Sequence, residues 1–403
     1  MSSSVMTVEK REVVAQQAVE ETPFHLGRVL TLAGAHGVHD TYQAFLAPLL
    51  PEFIRILALS KTEAGLLTVF LRIPSLLQPF IGHLADRSSL RPFVVLAPAG
   101  AAVTMSLLGV APGYTALALF LLLAGISSAC IHATGPVMVG HFSGERLGVG
   151  LGYWMVGGES GRVLGPLVVA AALSTLGLGG LPWLMIGGLA ASVYLAVLLR
   201  DVPDRPIHAC EALPWRAALH AMAPFLVLII GLVIAQGFLM EALSTYLTVF
   251  LTEGGADLWM TNIAFSTFQA AGVVGAFLSG ALSDRWGRKR ILFTFMLVAP
   301  VLMVIFLNVH GWMLFPVLLG LGFTTISLTP VMMALVQESY PKNRSLGNGV
   351  YMALNFALRS GMAVVVGAIG DALGLRTAFA VSAAIPLLGL FVVSRLPGRR
   401  AQR

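Results

Sequence analysis

Apolar residues run in long unbroken blocks along this chain, with polar residues gathered in short clusters between them. About 20 consecutive apolar residues carry a helix across a bilayer. The blocks predict helices over 28–56, 61–82, 92–111, 114–140, 147–176, 182–199, 217–251, 258–282, 291–309, 312–338, 345–371 and 377–395. The runs are continuous rather than alternating, which argues against a β-barrel. The expected class is an all-α membrane protein with twelve transmembrane helices. The first and seventh are long enough to tilt or to end in an interfacial turn.

Composition supports lipid as the solvent. Hydrophobic residues make up 57% of the 403 and charged residues 11%, against about a quarter charged in soluble domains. The 43 glycines and 21 prolines fit membrane helices, where both are commoner than in soluble ones. The formal charge of +6 could suggest a polyanion partner, but its distribution does not. With the N-terminus inside, nineteen of the 25 Lys and Arg fall on one side, while Arg55, Lys61 and Arg376 fall on the other. That is the positive-inside pattern, with both termini cytoplasmic and no nucleic acid implied. Cys130 falls within a span and Cys210 in a cytoplasmic loop, so no disulfide framework is expected. Residues 1–27 are polar and carry no signal-peptide core.

The chain repeats itself. Gly82-His-Leu-Ala-Asp86-Arg87 returns as Gly280-Ala-Leu-Ser-Asp284-Arg285-Trp-Gly-Arg288, each copy following a long apolar block and opening a basic turn. Gly150-Leu-Gly152-Tyr-Trp-Met155 similarly resembles Gly347-Asn-Gly349-Val-Tyr-Met352, an offset of 197 that superposes Arg162 on Arg359. The predicted organisation is a tail over 1–27, a six-helix bundle over 28–199, a linker over 200–216, a second bundle over 217–396 and a basic tail over 397–403. Pro203, Pro206 and Pro214 suit an exposed connector. Two similar bundles about a midplane site are what alternating access requires.

The two Gly-x-Leu-x-Asp-Arg turns resemble the signature loop of the major facilitator superfamily. The resemblance implies a cytoplasmic charge latch holding the outward-facing state, a role that would pass to Gly82, Asp86 and Arg87 and to Asp284, Arg285 and Arg288. Four further stretches are similar to the fosmidomycin-resistance branch: His36-Gly-Val-His39-Asp40-Thr-Tyr-Gln43, Ser75-Leu-Leu-Gln78-Pro79, Ser128-Ala-Cys-Ile-His132 and Val336-Gln337-Glu338-Ser-Tyr-Pro341. That branch implies a proton-driven exporter of drugs or other small molecules; the expected setting is the bacterial cytoplasmic membrane, and the expected working unit a monomer. Gly161-Arg-Val-Leu-Gly165-Pro166 resembles the start of the antiporter motif, without its closing glycine pair. Ala133-Thr134 stands where the branch has Pro-Glu, and Arg72, Glu159, Arg162 and Arg359 stand where it has small or neutral residues. Mechanism would then carry over while substrate would not.

Six ionisable residues fall at mid-helix positions: Asp40, Arg72, Glu159, Arg162, Glu241 and Arg359. Each costs roughly 2.5–3.5 kcal/mol at the bilayer centre, so they should face a wet interior or one another. His36, His39, Asp40 and Gln43 recur at i, i+3, i+4 and i+7, one stripe of a helix. Imidazole beside carboxylate can exchange a proton. Asp40 assisted by His39 is the candidate proton-coupling site, with His36, Glu159 and Glu241 as further titratable members. The alternatives are that Asp40 ties helices together by hydrogen bonds and that Glu159 pairs locally with Arg162.

Tyr351, Asn355 and Arg359 form a second polar stripe. Arg162 and Arg359 facing each other, with Arg72, would make a cationic clamp for a carboxylate, phosphonate or sulfonate, because the guanidinium fork binds such groups bidentately. The alternative is that these arginines only balance the three acids. Gln43, Gln236, His132 and Trp154 complete the candidate substrate-binding set. Phe70, Tyr153, Phe265, Phe268, Met240 and Met352 are chiefly packing residues of the same helices. No metal site is expected. No nucleotide-binding loop, nucleophile elbow or paired-cysteine motif occurs, so ATP drive and enzymatic activity are not expected and a proton gradient is the expected energy source. Two functions remain: proton-coupled efflux, or uptake or exchange of a small organic anion.

Overall fold

A computed structural model describes residues 24–78, 80–81, 91–143, 147–201, 215–339 and 344–396. Among them the chain is helical throughout. The α-helices are α1 (Leu26–Gln43), α2 (Leu46–Leu57), α3 (Lys61–Arg72), α4 (Arg91–Ser106), α5 (Tyr114–Ser143), α6 (Leu147–Leu176), α7 (Met185–Leu198), α8 (Trp215–Glu253), α9 (Leu258–Trp286), α10 (Arg288–Phe306), α11 (Leu314–Ile326), α12 (Leu328–Ser339), α13 (Arg344–Leu373) and α14 (Leu375–Arg395). Paired as α1–α2 and α11–α12, they make the twelve segments expected. Among the described residues, ten segments are long and apolar enough to cross a membrane; the first two, both interrupted, are not among them.

The interruptions follow proline. Proline lacks an N–H and its ring meets the carbonyl four residues back. Pro48 therefore divides the predicted 28–56 helix, whose two parts are α1 and α2, while Pro51 lies within α2. Pro74 turns the end of α3 into a 3-10 stretch over Ile73–Leu77, and Pro330 sits just past the break between α11 and α12. The carbonyl of Ala47, which Pro51 cannot serve, accepts from the Thr248 hydroxyl on α8 at 2.6 Å. Positive φ values at Gly287 (91°) and Gly374 (82°) mark the tight turns before α10 and α14, a conformation glycine adopts without a Cβ clash.

The duplication is visible in the packing. Arg91 at the start of α4 donates to the Ala196 carbonyl at 2.8 Å, closing the end of α7. Lys289, 198 positions later, does the same for α14 through Ser394 at 2.6 Å and Leu396 at 3.1 Å. In both cases a cation meets the free carbonyls of a helix C-terminus.

The apolar core is unequal from end to end. Near the Lys61 turn one cluster runs through both halves, including Phe45, Leu49, Leu50 and Phe53 with Leu243, Tyr246, Leu247 and Phe379. At the end bearing the basic loops the cores are separate. One gathers Val29, Val94, Ile131 and Val139; the other gathers Ile229, Leu292, Val331 and Val393. The outward surface carries exposed Trp312, Phe277, Leu388 and Phe391, the apolar face that a bilayer would cover.

Polar contacts close the Lys61 end. The Asp371 carboxylate, at the end of α13, accepts from the Lys61 and Thr62 backbone N–H groups at 2.6 and 2.8 Å and from the Thr62 hydroxyl at 2.5 Å. It thus caps the first turn of α3, where free donors favour an anion. Lys61 Nζ pairs with Glu253 at 3.0 Å. The Tyr246 hydroxyl reaches the carbonyls of Lys61 (2.8 Å) and Ala363 (2.7 Å). Asp371→Ala is expected to remove about 1–2 kcal/mol from this closure, since the charged bonds are solvent-facing. Spin-label distances between the facing ends of α3 and α13 would widen in a substantial fraction of molecules. An unchanged distribution would show that Asp371 does not hold this end.

Candidate functional site

Backbone contact between α1 and α6 sets the first half of the site. A Cβ on Gly157 would fall 2.1 Å from the Ala33 carbonyl oxygen, and one on Gly161 2.1 Å from that of Gly37. Only glycine permits this approach, a small-residue seam of the kind that packs membrane helices. It presses Trp154, Glu159 and Arg162 against the polar stripe of α1.

Around Asp40 the resulting cluster is dense. Arg162 donates to Asp40 Oδ2 through Nε at 3.1 Å, with Nη2 also 3.1 Å from that oxygen, and to Glu159 Oε1 through Nη1 at 2.9 Å. His39 Nδ1 lies 2.9 Å from Asp40 Oδ1. His36 Nε2 lies 3.5 Å from Asp40 Oδ2 and 3.3 Å from His132 Nε2. Ligand-type atoms of His36, Asp40 and His132 all lie within 4.8 Å of one another. His36 also stacks on Trp154 at 3.9 Å between ring centroids and contacts its carbonyl. Gln43 donates to the Ala124 carbonyl at 2.9 Å, tying α1 to α5. The stripe read from spacing is therefore one physical unit. Asp40 and His39 are fully enclosed, whereas the Arg162 side chain is 39% exposed and opens the cluster outward.

The second half mirrors this arrangement with a different charge count. Glu241 on α8 is wholly buried; its Oε2 accepts from Arg72 Nη1 at 2.6 Å and its Oε1 from Arg359 Nε at 2.5 Å. The Thr245 hydroxyl donates to the same carboxylate at 3.1 Å. Arg359 finds across helices the acid that its own helix face lacks, as Arg162 finds Asp40. Under the 197 offset Asp40 would correspond to Gly237, so the acid of the second half stands one helical turn further on, at Glu241.

Every candidate arginine is thus paired, in keeping with the charge-balancing alternative, but the balance is uneven. Asp40 and Glu159 share one arginine, while Arg72 and Arg359 share one acid. Gln236 is committed to the Thr325 carbonyl at 2.7 Å. Tyr351 is buried in the core of the second half and Asn355 is also buried. Trp154, 2% exposed, lies beneath His36 with its ring over Gly135 rather than open to the interior. Gly82, Asp86 and Arg87 lie outside the described residues. Asp284 and Arg285 stand in the last turn of α9, with Arg285 exposed, and Arg288 opens α10 with a bond to the Ser283 hydroxyl.

Sequence spacing passed over Asp371, Thr62 and Glu253. They sit at helix ends, where charge is ordinary, and no periodicity reveals which helix end faces which. Their nearest signal was the pairing of a capped start at Ser60 with an acid closing a distant span.

Comparison with known proteins agrees with this architecture. Residues 32–265 and 255–403 match the family described as Major Facilitator Superfamily. The chain is 26% identical over 383 residues to the fosmidomycin resistance protein of Escherichia coli (strain K12), covering 91% of each. It is 26% identical over 277 residues to the multidrug resistance protein MdtG of Serratia proteamaculans (strain 568), covering 65% of this chain and 66% of that protein. Among solved structures it superposes on a bacterial homolog of the human lysosomal transporter Spinster, in an inward-facing and occupied conformation. The TM-score is 0.81 at 16% identity, covering 94% of this chain and 98% of that one.

Proposed function

The chain belongs to the major facilitator superfamily of membrane transporters, and we propose that it exports a small anionic or amphiphilic drug or metabolite in exchange for protons. The reading places it in the bacterial cytoplasmic membrane, both termini inside, with bundles 28–199 and 217–396 rocking about the central clusters as a monomer. Relatives named for fosmidomycin and multidrug resistance support the direction of transport.

One observation carries the coupling: the unequal charge of the two clusters. Asp40 and Glu159 against Arg162 leave one negative charge beside three histidines, a place for a proton. Glu241 against Arg72 and Arg359 leaves one positive charge, a place for an anion. Separate cores at the basic end and a shared core at the Lys61 end suit a carrier open to the cytoplasm. The latch role of Asp86, Arg87, Asp284, Arg285 and Arg288 belongs to the opposite, outward-facing state.

Proteoliposomes with imposed pH and charge gradients test this reading. Substrate moving against protons is the expected result. Co-movement or strict exchange would instead favour uptake or exchange of an organic anion, which the surplus guanidinium also fits.

The anion class is tested separately. A carboxylate, phosphonate or sulfonate that binds the folded protein raises its melting temperature. Arg162→Gln and Arg359→Gln are each expected to remove that shift. Unchanged affinity in both variants would eliminate the clamp.

A further inference from the structure

We propose that the proton-binding element of this carrier is the His36–His132 imidazole pair, which holds one proton between its Nε2 atoms. The inference rests on the proton-coupled reading above and names the group that carries the proton.

Hydrogen-bond bookkeeping leads there. Carbonyl oxygens only accept. His36 Nδ1 lies 2.9 Å from the Trp154 carbonyl oxygen, and His132 Nδ1 lies 2.9 Å from that of Ser128. The Ser128 hydroxyl also lies near His132 Nδ1, but at 3.3 Å it is the longer contact; the carbonyls at 2.9 Å set the tautomer, and both Nδ1 atoms carry hydrogen. In neutral imidazoles both Nε2 atoms would then present bare lone pairs, yet they face each other at 3.3 Å. Two lone pairs facing at that distance repel; one proton between them makes an N–H···N hydrogen bond.

His39 has no such need. Its Nδ1 donates to Asp40 Oδ1 at 2.9 Å, and its Nε2 accepts from the Gln43 amide at 3.4 Å. Both nitrogens are satisfied in the neutral form.

Charge agrees with the count. Asp40 and His39 face the pair directly, Arg162 sits on Asp40, and Glu159 joins the cluster through Arg162. Asp40 and Glu159 against Arg162 give one net negative charge, which a single proton on the pair cancels. The guanidinium already on Asp40 opposes any larger added charge. His36 on α1 is locked by stacking on Trp154, while the His132 side chain on α5 is 20% exposed. His132 is thus the member through which the proton enters and leaves.

Trp154 supplies an internal reporter, because a protonated imidazole stacked on indole quenches its emission. Full-length protein in lipid nanodiscs should show a pH-dependent step in tryptophan fluorescence. The step should vanish in Trp154→Phe, which removes the reporter, and in His132→Gln, whose amide can donate to His36 Nε2 without titrating. Nitrogen NMR of histidine-labelled wild-type protein provides a measurement that needs no variant. It should find both Nδ1 atoms protonated and one shared Nε2 proton. A wild type without the step, a step that survives in folded His132→Gln, or a bare Nδ1 on either ring overturns the proposal. Proteoliposome flux is read independently. A fluorescence step without pH-driven transport would remove the exporter reading and leave the proton pair standing.

Discussion

Replacing Glu241 with glutamine is expected to abolish transport and to destabilise the protein by roughly 3–5 kcal/mol, the cost of breaking a buried ion pair by removing one partner. Glu241 has no exposed side-chain surface and accepts from two arginines that come from different helices, Arg72 on α3 and Arg359 on α13. Without the charge, two guanidinium groups lie close together with no counter-ion, and one amide oxygen is left for the three donors Arg72, Arg359 and Thr245. The cluster links α8 of one half to α3 of the other, so the same change loosens the contact between halves. Thermal unfolding of purified protein measures the stability term. Glu241→Gln combined with Arg72→Gln restores one charge to the balance and should recover part of the loss. If Glu241→Gln unfolded at the wild-type temperature, the buried carboxylate would not be the tie the geometry describes.

Asp40→Asn is expected to remove the pH-gradient component of transport. The amide keeps the size of the carboxylate but not its charge, leaving Glu159 and Arg162 to neutralise each other. The proton site then lacks its counterion. At the 3.5 Å between His36 and Asp40, two unit charges attract by about 4–5 kcal/mol for an effective dielectric of about 20. That is several times thermal energy, so the substitution removes the main attraction that holds a proton there. Flux into proteoliposomes with and without an imposed pH difference would become equal. Asp40→Asn retaining pH-driven accumulation would move the coupling site elsewhere.

The two variants separate the clusters. Glu241 lies on the side with surplus positive charge and Asp40 on the side with surplus negative charge. An effect of Glu241→Gln on folding and of Asp40→Asn on proton drive would match that division of labour.

Much of the architecture was legible in one dimension. Twelve blocks of apolar residues became twelve helical segments, because a chain in lipid must satisfy its backbone within each helix. Pro48, Pro74 and Pro330 mark where a helix is interrupted, though block length alone read 28–56, 61–82 and 312–338 as unbroken. The α1 stripe of His36, His39, Asp40 and Gln43 was legible too, since periodicity reports which residues share a face. That the six central charges fall within apolar blocks also came from the pattern, because lipid tolerates such groups only where something else receives them. Arg72, however, closes α3 rather than standing mid-helix.

Which charge meets which was decided by the tertiary structure alone. Arg359 lies 118 positions from Glu241, and Arg72 lies 169 from it. Those distances in sequence close only because α3, α8 and α13 pack together. The 197-residue repeat points from Asp40 to a glycine, so symmetry could not reveal Glu241 as its counterpart. The closeness of α1 and α6 at Gly157 and Gly161 likewise required coordinates. Local sequence dictates helix, face and break through nearby backbone chemistry; the charge pairs, the His36–His132 contact and the Asp371 cap arise between helices, where only packing sets the distance.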